Sequence, residues 1–333
     1  MIFSGSSCLP SNEDVQQNLE KDTQPANYVP STTQPSTPAN DVESSTPDST
    51  TANSATEPVE DRLTIQHNKS YDFSSPDALI KLKNELKEIS GLSVLDEEHL
   101  VAIQDEKGKI YSIRMADGKI TEDKRFAKDG DFEGIEIVGD KIYVLQSDGD
   151  IFEVTDWPTK DTDSKKYETA LSTKQDTEGL AYDAANNRLL IACKENPGAG
   201  LKNSRAIYAF DLAKRELEEK PVMVIDLKAL EDAVPDNPLN KAIRKLAAPL
   251  RDLSGFKPAA IAIHPITNQI FVISSVRKLL LAYNPSGTLE NMWVLSEDDF
   301  RQPEGLAFLP NGDLIISNEG GNGKGNLMRF NYK

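Results

Sequence analysis

Cysteine, histidine and positive charge are all scarce in this 333-residue chain, and each scarcity excludes something. The two cysteines are Cys8, in a polar stretch, and Cys193, at the end of the apolar run Leu189–Cys193. That pair gives no disulfide framework, and Cys193 reads as an inert core residue. Three histidines, His67, His99 and His264, are too few and too scattered for the usual zinc centre. No apolar run reaches the length of a membrane-spanning helix. Lys and Arg number 37 against 54 Asp and Glu, a net charge of −17. An acidic surface repels phosphate backbones, which excludes nucleic acid as a partner and favours a metal or another cation. There is no Gly-x-Ser-x-Gly elbow, zinc-protease helix motif or phosphate loop, and so no ready nucleophile constellation.

What is present divides unevenly. Residues 9–65 are dominated by Ser, Thr, Pro, Asn, Gln and acids, a composition that buries too little apolar surface to fold and reads as a disordered tether. Residues 66–333 are rich in Ile, Val, Leu, Tyr and Phe, enough for one large all-β domain. Residues 1–8 end in Ser4-Gly5-Ser6-Ser7-Cys8, small residues before a cysteine, which looks like the end of a bacterial lipoprotein signal with Cys8 as the lipidated residue. A polar tether after Cys8 would let the folded domain clear a membrane surface. The expected location is the bacterial cell envelope, at the outer membrane or cell surface with the periplasmic side open. Contact with the membrane would be through the lipid alone.

Within 66–333 a short motif recurs. Ser90-Gly91-Leu92, Glu133-Gly134-Ile135, Glu178-Gly179-Leu180 and Glu304-Gly305-Leu306 each open a strand-like block, and Ala259-Ala260-Ile261 is a fifth, weaker copy. The anchors 91, 134, 179, 260 and 305 are separated by 43, 45, 81 and 45 residues. Repetition at that period marks a β-propeller, here five-bladed. The long step adds about 36 residues. Within 227–256, Asn237-Pro238 followed by Leu239, Ala242, Ile243, Leu246 and Leu250 has helical spacing, and reads as a helical insertion. A degenerate sixth blade there is the alternative. Third strands are expected at 109–113, 150–154, 206–210, 279–283 and 326–330, and fourth strands at 221–225 and 291–295. Ser70–Ser74 is expected to supply the last blade's outer strand and close the ring.

In an antiparallel blade the start of the first strand lies beside the end of the second. That places Ser90, Glu133, Glu178 and Glu304 at one channel mouth with Asp105, Asp148, Lys194, Ser275 and Glu319. The carboxylates Glu133, Glu178, Glu304, Glu319 and Asp105 are the expected metal ligands, because convergent acids repel unless a cation bridges them. Oxygen donors of this kind suit Ca²⁺. The alternative is that Glu-Gly merely turns the chain into the inner strand. His264, before Pro265, reads as a turn residue.

Phe132-Glu133-Gly134-Ile135, Thr177-Glu178-Gly179-Leu180-Ala181-Tyr182-Asp183, Gln302-Pro303-Glu304-Gly305-Leu306-Ala307-Phe308 and the strand end Gln104-Asp105-Glu106 resemble the SdiA-regulated family of bacterial envelope propellers over residues 70–333. The resemblance implies a five-bladed propeller distantly related to NHL-repeat proteins, a calcium site and no settled activity. Asp252-Leu253-Ser254-Gly255 departs from the pattern, since Phe256–Ala259 intervene before the inner strand. That blade is therefore expected to give no polar ligand. The expected function is a lipid-anchored, calcium-binding module for an unidentified small-molecule or protein ligand at the channel mouth. A calcium-dependent hydrolase, of phosphoesterase or lactonase type, is the alternative; its base would be Asp105, Asp148 or Glu319.

Overall fold

The computed structural model describes residues 70–233 and 253–333. The readings of residues 1–8, Cys8 and the 9–65 tether lie outside the described residues, as does the helix expected at 237–250.

Five antiparallel sheets follow one another along the chain. Blade 1 is β2 (Ile89–Val94), β3 (His99–Gln104), β4 (Lys107–Arg114) and β5 (Lys119–Arg125). Blade 2 is β6 (Phe132–Val138), β7 (Lys141–Gln146), β8 (Ile151–Thr155) and β9 (Asp163–Tyr167). Blade 3 is β10 (Thr177–Asp183), β11 (Arg188–Cys193) and β12 (Ser204–Asp211), whose outer edge is shared by β13 (Glu216–Leu217) and β14 (Met223–Asp226). Blade 4 is β15 (Ala260–Ile263), β16 (Ile270–Ser274), β17 (Leu279–Tyr283) and β18 (Leu289–Val294). Blade 5 is β19 (Pro303–Phe308), β20 (Leu314–Asn318) and β21 (Asn326–Phe330), completed by β1 (Ala78–Lys81). The first strands β2, β6, β10, β15 and β19 neighbour one another in a closed ring, so the described fold is a five-bladed propeller.

Each seam between adjacent blades holds its own apolar core. In β11 the odd residues Leu189, Ile191 and Cys193 face blade 2, and the even residues Leu190 and Ala192 face blade 4. A strand buried on both faces needs an unbroken apolar run rather than alternation, which is how Leu189–Cys193 reads. Cys193 is fully buried, and burial pushes its thiol up to about 12, as expected of an inert core residue.

The ring closes by a different strand from the one expected. β1 pairs with β21 from Ala78↔Arg329 to Lys81↔Asn326. Ser70–Ser74 instead sends Tyr71 and Phe73 into the seam between blades 4 and 5. There the Tyr71 hydroxyl donates to the Gly312 carbonyl at 2.6 Å, and Phe73 lies 5.0 Å from Phe330 and 5.5 Å from Trp293. Two large rings gain more in a seam than on an outermost strand with one wet face. His264 is buried in the same seam, with ring centres 4.7 Å from Tyr332 and 4.8 Å from Phe308. Its Nδ1 accepts the N–H groups of Ile266 and Thr267 at 3.1 and 3.2 Å, which makes it the turn residue expected.

The insertion after β14 starts with α1 (Leu227–Asp232). Asp226 caps it, accepting from the N–H groups of Lys228 and Ala229 at 2.8 and 3.0 Å. Leu227 and Leu230 are buried in the seam between blades 3 and 4.

Candidate functional site: an acidic channel mouth

The recurring Glu-Gly acts through two local devices. The glycine permits close approach of neighbouring inner strands: a Cβ on Gly134 would stand 2.5 Å from Leu180 Cβ, and one on Gly179 would stand 2.7 Å from the Ile261 nitrogen. The glutamate occupies a β-bulge. Pairing steps from Phe132↔Gln146 to Gly134↔Leu145, from Thr177↔Cys193 to Gly179↔Ala192, and from Pro303↔Asn318 to Gly305↔Ser317. Glu133, Glu178 and Glu304 are thus the unpaired residues, and a bulge re-aims a side chain that regular alternation would direct elsewhere. All three line one cavity at the centre of the ring, to which every inner strand contributes.

Most of the expected mouth residues gather around it. The Ser90 hydroxyl donates to Glu133 Oε2 at 3.0 Å and to the Glu133 carbonyl at 2.9 Å. The Lys194 ammonium contacts Glu178 Oε1 and lies 3.7 Å from Asp176 Oδ2. Ser275 and Gln302 hydrogen-bond to Glu304. Glu319 shares a hydrogen bond with Glu88 and feels the charges of Asp105 and Glu178.

The backbone shows which residues are equivalent. Asp105, Ser147, Lys194 and Glu319 each donate an N–H, at 2.8–3.3 Å, to the carbonyls of Glu88, Asp131, Asp176 and Gln302 respectively. The blade-2 mouth residue is therefore Ser147, a correction to Asp148. The tight turn at Gly139-Asp140, with Gly139 at φ +63, makes that hairpin one residue shorter than those of blades 1 and 5. Asp148 instead folds into its own turn, accepting the Asp150 N–H at 3.1 Å.

Sequence reasoning also missed Glu88, Asp131 and Asp176. Their signal is present: each stands three residues before an anchor glycine, where blade 4 has Lys257 and blade 5 has Gln302. It missed Glu136 as well. That carboxylate accepts from Ser93 Oγ at 2.7 Å, from the Ile137 N–H at 3.1 Å and from the Tyr182 N–H at 3.4 Å, tying the inner strands of blades 1, 2 and 3 together.

The carboxyl groups are displaced from their ordinary range in one direction. Burial raises Glu133, and the neighbouring charges of Glu178 and Asp131 add to it. Burial also raises Glu178, partly offset by Lys194. Glu304 is pushed up to about 7 by burial and the charge of Glu319, against the pull of Lys194. Glu319 reaches about 7 through burial and the charges of Glu88, Asp105 and Glu178. Burial raises Asp105, with Glu106, Glu88 and Asp131 contributing. Burial alone pushes Glu136 to about 7. Such a set holds protons near neutrality or welcomes positive charge.

The donors are carboxylate and hydroxyl oxygens, which suit a hard dication; neither described histidine is among them. His99 bonds Asp96 at 3.0 Å, and His264 lies in its seam against Phe308 and Tyr332. Among the described residues, no three His, Cys, Asp or Glu side chains already stand as a ligand set for a metal ion. Among the described residues the Lys194 ammonium contacts Glu178, and Lys278 lies near enough to Glu304 for their charges to attract.

Fold and site together define a five-bladed propeller whose mouth concentrates buried carboxyl groups around a lysine. The chain belongs to the SdiA-regulated family, whose model matches residues 74–322. No curated protein matches it in sequence. Similar solved structures include a glutaminyl cyclase from Myxococcus xanthus, 12% identical with a TM-score of 0.49, covering 77% of this chain and 94% of that one. A PQQ-bound aldose sugar dehydrogenase from Streptomyces coelicolor is 11% identical with a TM-score of 0.44, covering 78% and 100%. A catalytically inactive virginiamycin B lyase from Staphylococcus aureus is 14% identical with a TM-score of 0.41, covering 76% and 87%.

Proposed function

We propose that the channel mouth binds a cation, Ca²⁺ first among candidates, and that the propeller serves as a ligand- or protein-binding module of the bacterial cell envelope. The observation that carries this reading is the surplus of buried carboxyl groups: Glu133, Glu178, Glu304, Glu319 and Asp105 come from four blades, each displaced upwards by burial and by neighbouring carboxylates. A bound dication relieves that repulsion. Glu133, Glu178 and Glu304 would hold the ion, with Glu319 and Asp105 supporting it. When bound it would tie blades 2, 3 and 5 together and could present a positive centre to an anionic group on a ligand. Blade 4, with Ala259 at the glutamate position, adds no side-chain ligand there.

Calorimetric titration with Ca²⁺ tests the site. Wild type should bind saturably, and Glu178→Gln should bind at least about tenfold more weakly, since one charged donor is lost. No heat of binding from a chelator-stripped wild-type protein would overturn the reading. A screen of phosphate esters and lactones, with and without chelator, separates a binder from a hydrolase: chelator-sensitive turnover lost in Glu178→Gln would replace the binding module by a calcium-dependent enzyme. The envelope location rests on Ser4–Cys8 and the polar 9–65 stretch. Palmitate labelling of the full-length precursor, abolished by Cys8→Ser, is the expected outcome; an unlabelled precursor contradicts the anchor. No helix among the described residues is long and apolar enough to cross a membrane.

A further inference from the structure

We infer that Lys194 is a tethered competitor at the cation site: its ammonium stands on the glutamate a bound metal ion would use, so the ion enters by displacing it and the site selects divalent over monovalent cations. This deepens the cation-binding reading above and rests on it.

Position and charge carry the inference. The Lys194 N–H donates to the Asp176 carbonyl at 2.8 Å, which fixes the residue at the end of β11. Its side chain returns across the strand end to Glu178 Oε1, with Asp176 Oδ2 3.7 Å away. Three other blades have the equivalent backbone bond, and their residues there are Asp105, Ser147 and Glu319. Among the four blades with this backbone bond, charge is thus reversed at one, beside the glutamate of its own inner strand. Glu178 is one of the three glutamates lining the central cavity, so an ion held by those three shares a carboxylate with the ammonium. Two positive centres within a few ångströms of one carboxylate repel, and one must leave.

Selectivity follows from charge. Exchanging a tethered ammonium for Na⁺ or K⁺ adds no charge to the cluster and gives up an intramolecular contact held at high effective concentration. Exchanging it for a dication adds one unit of charge where carboxylates are in surplus. Lys194 therefore makes the mouth indifferent to the monovalent salts around it.

Calorimetric Ca²⁺ titration of wild type, Lys194→Met, Lys194→Gln and Lys194→Arg tests this, each protein first shown to melt cooperatively with unchanged circular dichroism. The Gln variant keeps a donor for Glu178 should the Met variant fail to fold. The Met and Gln variants should bind Ca²⁺ roughly tenfold or more tightly than wild type, because the competing charge is gone. The Arg variant should remain near wild type. Replacing choline chloride by KCl at constant ionic strength should weaken Ca²⁺ binding to the Met and Gln variants and leave wild type unchanged. Folded neutral variants that bind Ca²⁺ no more tightly than wild type would overturn the role of Lys194 while the cation site stands. Absence of Ca²⁺ binding by every protein in the set would overturn both.

Discussion

Blade 4 and the other four blades build the same hairpin from different inner strands. Blades 2, 3 and 5 open with Glu-Gly on a bulge, and blade 1 opens with Ser-Gly across an equivalent register shift between Ile89 and Leu92. Blade 4 opens with Ala259-Ala260, pairs regularly from Ala260↔Ile273 to Ile263↔Ile270, and has the shortest inner strand of the five. Bulge, glycine and a polar residue just before the glycine occur together or not at all. The blade without them also reverses charge: Lys257 replaces the acid found three residues before the glycine in blades 1 to 3, and it pairs with Glu195. The acidic mouth is thus an arc of four blades facing a basic one, and the bulge is the device that points its side chains inward.

The contrast can be broken first at the glycine. Gly134→Ala would drive a Cβ into Leu180 and should destabilise the propeller by about 2–3 kcal/mol in urea unfolding, as overpacking against backbone and a fixed side chain does. Ala260→Gly, in the blade that already accommodates a Cβ, should cost only about 0.5–1 kcal/mol of backbone entropy. Equal effects at the two positions would refute the distinction between the blades.

The second effect is on pH dependence. Glu304 and Glu319 are raised in the folded state from an ordinary value of 4.5 to about 7. Groups raised on folding contribute stability that is fully present below about pH 4.5 and is lost as pH rises through about 7. In chelator, stability should therefore fall between pH 5 and pH 8 by about 2.5 kcal/mol from Glu304, with a smaller, solvent-screened share from the more exposed Glu319. Saturating Ca²⁺ should flatten the fall. A chelated protein equally stable at both pH values would show that the acidic arc is not strained.

The smallest effect belongs to the seam beside blade 4. Burial lowers His264, and its Nδ1 accepts two backbone N–H groups, so the neutral ring is the native one. Its contribution is present above the unfolded value of about 6.5 and is lost as pH falls through the lower folded value. The acid-side loss should shrink in His264→Asn. An unchanged acid limb would assign the loss to other groups.

Much of this was legible before any coordinates. The 43- and 45-residue steps between Gly91, Gly134 and Gly179 reveal the blades, and the same count brings Glu133, Glu178 and Glu304 to one mouth. The third strands fall where apolar runs buried on both faces require them. The bulge was not legible, because strand alternation does not reveal a skipped residue. Spacing points to Asp148 for a related reason: it does not show that the Gly139-Asp140 turn shortens one hairpin. Tyr71 and Phe73 read as strand because aromatics favour strands, and only the neighbouring blades show that a seam was open to receive them.

The most direct measurement is anomalous diffraction from crystals grown with Ca²⁺. The expected result is a peak enclosed by Glu133, Glu178 and Glu304 at oxygen distances of about 2.3–2.6 Å, with the Lys194 ammonium withdrawn from Glu178. A mouth without a peak, in which Lys194 still contacts Glu178, would contradict the cation site.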